Sequence, residues 1–222
     1  MTTNALKRKN QIEDRLVCHG INDLRLVFLQ YLEFDDQTFA TPFETGCRMI
    51  ILLAVATTAS ELNDRQIISD WLKRENIWKY VSPNEKALFE GNVSDSQELI
   101  DFSWQIECAY ILGWTINLTQ HRPIPTEMVS EKHLEDFINR VPAYGDHLND
   151  FLKSLNYREP SEIYDENLFY ELATTYFRDL LFNEQKDVSN INRQVSFLRH
   201  WALNWVRQFM GIHEWDDTDT ST

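Results

Sequence analysis

The stretch RMIILLAVATTA, residues 48–59, decides the fold. Apolar or small residues fill nearly every position, with neither proline nor the strict alternation of a half-buried strand, so it reads as a helix that is apolar almost all round. Such a helix has no face to give to water and takes a central position among others. Its unbroken apolar run, Met49 to Ala56, is far shorter than the ~20 residues that cross a bilayer.

Outward from it the helical period recurs. Upstream, Leu24, Val27, Phe28, Tyr31 and Leu32 fall at helical spacing behind Asn22-Asp23, two good cap residues. Downstream, Ile67, Ile68, Trp71 and Leu72 make the next stripe. Ser82 to Glu85 has capping-box spacing with Pro83 at the first helical position, which predicts a short helix stopping near Gly91. Ser94 to Gln97 and Asp95 to Glu98 are overlapping caps for a longer helix reaching about Leu118. After a break at HRPIP (121–125), helices are expected over about 128–140 and 147–155, separated by the polar turn PAYGD. Past NYREP two long ones follow, over about 161–182 and 190–210. Six glycines and six prolines in 222 residues leave short connections, no run shows clean β alternation, and there is no internal repeat. The reading is all-α: a single compact multi-helix domain over 1–222, with about eight helices, two of them long and C-terminal, no significant β-sheet, and a frayed acidic tail at 218–222.

A chain of this length buries roughly 70% of the surface its unfolded form exposes, so it needs no covalent staple. Cys18, Cys47 and Cys108 are odd in number, widely spaced and free of any C-x-x-C pattern, which speaks against a disulfide framework or a zinc knuckle. The start, MTTNALKRKNQIEDRLV, is basic but has no apolar run behind it. A cytoplasmic protein without membrane contact is the expectation. With 35 acidic against 21 basic side chains the formal charge is −14, a field that repels phosphate backbones, and no Lys/Arg stripe with interleaved aromatics overrides it. Nucleic acid is thereby excluded as a partner. The acidity serves either solubility or a basic protein partner; oligomeric state is not legible.

The segment FSWQIECAYILGWTINL, residues 102–118, sets Glu107 among apolar neighbours, with Trp104, Ile111 and Trp114 on the same strip. A carboxylate held there is paired or changes its pKa. Arg48, Arg178 and Arg199, each in an apolar helix, are the candidate cations. Near the C-terminus, Val195, Leu198, Ala202, Trp205, Val206 and Phe209 form a core face, while His200, Asn204 and Arg207 share another strip. His200 and Asn204 stand one turn apart, within reach of each other or of a third group. Two readings stay open: a desolvated Glu107 beside His200 acting as a general base, or a Glu107–Arg bridge that sets helix register. No other obvious nucleophile is present.

His213, Glu214, Asp216 and Asp217 crowd together after Gly211, the expected C-cap of the last helix. The run DTDTST from Asp217 begins like a calcium loop but lacks the sixth-position glycine and the closing glutamate. HExxH, GxGxxG, P-loop and GxSxG patterns are all absent, so neither a metal nor another cofactor is expected. Trp215 is expected to pack back onto the bundle, its aspartates accepting bonds from an arginine or a helix N-terminus.

WLKRENIWKYVSPNEKALFE (71–90), WQIECAYILGW (104–114), LRHWALNW (198–205) and WDD (215–217) together resemble the domain-of-unknown-function family 4272 (DUF4272) over about residues 44–217. The family's segments read as a tryptophan stretch with LSPxE, W-x-x-E with an apolar run ending in W-A-L-G, R-H-x-A-L-N-W, and a terminal W-D-D. Here Gly113-Trp114-Thr115-Ile116 stands in place of W-A-L-G. The resemblance implies no established activity. Its recurrent positions correspond to Trp104, Glu107, Trp114, Arg199, His200, Asn204, Trp205, Trp215, Asp216 and Asp217, one connected polar network with aromatic packing around it.

Two classes of function follow. One is an acidic interaction or accessory protein with a structural Glu107–Arg199–His200 network; an immunity-type protein that neutralises a basic effector is one form of it. The other is a hydrolase-like enzyme using Glu107 and His200, with a metal near Asp216 and Asp217, which requires a pocket exposing both side chains.

Overall fold

The computed structural model describes residues 3–24 and 39–220. In chain order its helices are α1 (Thr3–Cys18), α2 (Pro42–Ser60), α3 (Arg65–Arg74), α4 (Pro83–Glu90), α5 (Ser96–Ser103), α6 (Gln105–Thr115), α7 (Glu131–Ile138), α8 (Asn149–Ser154), α9 (Pro160–Phe182) and α10 (Arg193–Val206). Among the described residues there is no strand. The all-α class is therefore shown. The helix expected on Leu24, Val27, Phe28, Tyr31 and Leu32 lies, Leu24 apart, outside the described residues.

Helix α2 starts a turn and a half before Arg48 because Thr41 closes a capping box. Its hydroxyl accepts from the Glu44 N–H at 3.2 Å, and Oε2 of Glu44 accepts from the Thr41 N–H at 2.8 Å, with Pro42 at the first helical position. Thr45 to Ala56 are buried without a break. By length and apolar composition the whole of α2 could cross a bilayer, a property the shorter run 49–56 does not show; here 72% of its apolar window is buried inside the protein. Against α2 pack α6 and α5, then α4 and α8. On its far side α6 meets α10, α10 meets α9, and α9 meets α1, so one continuous apolar core runs from α1 to α3.

Local signals place several elements well. The Ser82–Glu85 capping box forms, and Gly91 ends α4 in the left-handed region at φ 82°. Of the overlapping caps, Asp95 is the one used: Oδ1 accepts from the N–H groups of Gln97 and Glu98 at 2.8 and 3.1 Å. Other expectations change. The helix over 95–118 is two helices that meet at Trp104, where tight turns replace the α-helical ladder, and it stops at Thr115. Ile67 is 69% exposed while Ile68, Trp71 and Leu72 are buried.

Gly113 lets α7 approach α6 closely. A Cβ there would lie 2.2 Å from Cε2 of Phe137, a ring that is itself fully buried and cannot retreat to solvent. We expect Gly113→Ala to destabilise the protein by about 1–3 kcal/mol, although alanine is the better helix former by roughly 1 kcal/mol. Urea denaturation followed by tryptophan fluorescence measures it, and a midpoint equal to or above that of the parent chain would refute the tight contact.

Candidate functional site

Glu107 lies in the first turn of α6 and Arg199 in the middle of α10, both with no exposed surface. Oε2 of Glu107 accepts from Nη2 of Arg199 at 2.6 Å and from its Nε at 3.1 Å, while Oε1 accepts from the Val129 N–H at 2.7 Å. Nη1 of Arg199 donates to the Ile124 carbonyl at 2.7 Å and to the Tyr170 hydroxyl at 2.9 Å. Burial pulls the Arg199 guanidinium down, but Tyr170 and Glu107 beside it outweigh that and leave it above its ordinary value. The pair thus joins α6, α9, α10 and the 124–129 connection at one buried point. Of the other candidate cations, Arg48 pairs with Glu85 at 2.7 Å, and Arg178 stands near His200 and Glu171.

His200 follows Arg199 by one residue and so points about 100° away around the helix. It is fully buried, and neither ring nitrogen has a hydrogen-bond partner. Desolvation, with Arg178 and Arg207 adding to it and Asp219 opposing, drives its pKa down to about 3. The imidazole is neutral at physiological pH and is not bonded to Glu107. The two groups of the general-base reading are therefore both present in the core, but the structure does not bring them together.

Asn204 makes different contacts from those its spacing suggests. Oδ1 accepts from Nδ2 of Asn167 at 2.8 Å, and its own Nδ2 donates to the Asp219 carbonyl at 2.8 Å; Arg207 in turn donates to Oδ1 of Asn167. His200 takes no part. The strip His200, Asn204 and Arg207 is as buried as the expected core face, because α9 covers it; Phe209, placed on the core face, is only half-buried. Asn167, Tyr170 and Val129 went unnoticed in the sequence, since none carries a pattern that distinguishes it from an ordinary helix or loop residue.

The end of α10 also differs. The helix stops at Val206, not at about Met210, and Gln208 and Met210 take left-handed backbone with φ 46° and 57°. Gly211 therefore closes a short turn, Phe209–Gly211, and does not cap α10. The returning chain is held by the helix it leaves: Nε1 of Trp205 donates to the His213 carbonyl at 2.9 Å and Nε1 of Trp201 to the Trp215 carbonyl at 3.3 Å. Trp215 is buried against both rings, with the Arg48 guanidinium 5.2 Å from its centroid. Oδ2 of Asp216 accepts from the Asn84 N–H at 3.0 Å, at the N-terminus of α4. Of the tail expected to fray at 218–222, residues 221–222 lie outside the described residues, and Asn204 ties it at Asp219. His213, Glu214 and Asp217 are exposed, and among the described residues no three His, Cys, Asp or Glu side chains gather as a metal site would need.

Trp104 is half-buried at the α5–α6 junction, and Trp114 is fully buried beneath the Arg158 guanidinium, 3.8 Å from its centroid. The positions shared with the resemblance do not make the one connected polar network expected: Glu107 bonds Arg199, Asn204 bonds Asn167 and Asp219, Asp216 accepts from the Asn84 N–H, His200 bonds none of them and Asp217 is exposed. The model of a domain of unknown function, DUF4272, matches residues 8–218. The chain belongs to that family. The DUF4272 match reaches back into α1, beyond the 44–217 of the sequence resemblance; in the structure Arg8 pairs with Asp165 at 2.6 Å and Arg15 with Glu166 at 2.8 Å, fastening α1 to α9. No curated protein and no solved structure matches the chain.

A surface cleft of about 460 Å³ opens between α4, α5 and the C-terminal return of this DUF4272 chain. Glu98, Asp101, Phe102, Gln105, Trp201 and Asp216 line much of it. Only Asp216 among them stands out in the sequence as a candidate functional residue. Glu98 reads as a cap position, and the cleft exists only once α4, α5 and the C-terminal return are gathered round Trp201.

Proposed function

We propose that this DUF4272 protein is an acidic interaction protein that binds a basic protein partner, with the Glu107–Arg199 pair as part of its framework. The distribution of charge carries this reading. Among the described residues, the buried arginines Arg8, Arg48, Arg199 and Arg207 are equal in number to the buried glutamates Glu13, Glu85, Glu107 and Glu166, so the acidic excess of those residues lies outside the core. A field of that sign accelerates encounter with a basic surface and weakens with salt. Three reactive groups of the core are engaged or muted: both Glu107 oxygens are taken, and burial pushes the Cys47 thiol up to about 12 and the Cys108 thiol well above the usual range. Free thiols also suit a reducing, cytoplasmic compartment.

The test is affinity capture on the immobilised chain at low salt, followed by titration of each purified captured protein. A basic partner whose affinity falls about tenfold or more between low and physiological salt is the expected result. Recovery of no basic protein, or an affinity indifferent to salt, would overturn the reading.

A further inference from the structure

We infer that the cleft between α4, α5 and Trp201 is a pocket for a guanidinium group, and that it takes an arginine side chain of the basic partner. The inference rests on the reading above and adds the place and the chemistry of contact. Four carboxylates line the cleft, those of Glu85, Glu98, Asp101 and Asp216, and no lysine or arginine does. Arg48 neutralises Glu85 from the inside, which leaves Glu98, Asp101 and Asp216 without a cationic partner among the described residues. Gln105 lines the same cleft as a neutral, partly buried side chain. Carboxylates alone would not define a ligand. Here they stand beside aromatic rings, the partly exposed Trp201 and Phe102 with Trp215 behind them, and an indole face attracts a cation within about 6 Å of its centroid.

The spread of the acceptors selects among cations. No three carboxylates converge, so a divalent metal would lack its shell of oxygens. A lysine ammonium is a compact point charge and reaches few of them at once. A planar guanidinium with five donors can stack on an indole and still bridge separated acceptors. The volume of about 460 Å³ exceeds the need of one side chain, consistent with an open cleft that also receives the flanking peptide.

The experiment titrates the full-length chain with a six-residue arginine peptide and a six-residue lysine peptide by calorimetry. The cleft variant is Glu98→Gln with Asp101→Asn. The control, Glu131→Gln with Asp136→Asn, removes equal charge from the exposed side of α7. Neither Glu98 nor Asp101 holds a helix cap, since Asp95 does that work, and circular dichroism verifies that both variants fold. We expect the arginine peptide to lose about tenfold or more in affinity with the cleft variant and less than about twofold with the control, and the lysine peptide to bind several-fold more weakly. Equal losses in both variants would replace the pocket by a diffuse field, and equal binding of the two peptides would remove the guanidinium specificity; either overturns the inference. The captured partner separates the two levels. If it binds the cleft variant unchanged, the pocket falls and the interaction reading stands; if the peptide needs the cleft but no basic partner is recovered, the reading falls and the pocket stands.

Discussion

Replacing Glu107 with glutamine is expected to lower the free energy of unfolding by about 3–5 kcal/mol, the usual cost of orphaning one member of a buried ion pair. The size follows from the geometry. Glu107 accepts on both oxygens, from Arg199 on one side and the Val129 N–H on the other. A glutamine has one oxygen and one NH₂, so whichever way the amide turns, a donor faces a donor, and the buried guanidinium loses its counter-charge. Urea denaturation reads the change as a lower midpoint at constant slope. Arg199→Met is costly for the mirror-image reason. The double variant recovers part of the combined loss but not all, because the Ile124 carbonyl and the Tyr170 hydroxyl also lose their donor. A loss below about 1 kcal/mol for Glu107→Gln would deny the pair its place at the centre of the framework and revive a carboxylate held for chemistry.

Acid should unfold this protein through His200. The ring is held neutral with a folded pKa of about 3, against about 6.5 for an unfolded histidine. Above pH 6.5 neither state binds the proton and His200 contributes no pH dependence. Between 6.5 and about 3 the unfolded chain is protonated and the folded one is not, so stability falls as pH falls, by up to 1.36 kcal/mol per pH unit, roughly 4 kcal/mol over the window. Below about 3 both forms are protonated and the loss levels off. The groups that set this facing His200 are Arg178 on α9, Arg207 after α10 and Asp219 in the tail. Comparing the parent chain with His200→Leu isolates the effect from the titrating carboxylates. At pH 7 the variant should be close to neutral, since an apolar side chain replaces a ring whose nitrogens have no partners. At pH 4 it should be more stable than the parent by about 3 kcal/mol. Parallel stability curves for the two chains would show that His200 is not the group that titrates.

Some of this was legible in the sequence because it depends on neighbours a few positions apart. The apolar run at 48–59, the box at Ser82–Glu85, the cap at Asp95 and the stripe around Glu107 are local patterns, and a helix reports through its own period which side it buries and whether it buries them all. From that period it followed that the chain is all-α, that α2 is central and that Glu107 needs a partner. The tertiary structure alone decided which partner. Glu107 and Arg199 are 92 positions apart, and the choice of Arg199 over Arg48 or Arg178 depends on the packing of α6 against α10. With Arg199 turned to Glu107 the helical period points His200 elsewhere, and the packing of α9 covers it, while Asn204 holds the tail through Asp219. The helix packing also lays α5 beside Trp201 to open the acidic cleft. Periodicity states how much of a side chain leaves water; only the meeting of distant helices states what it meets there.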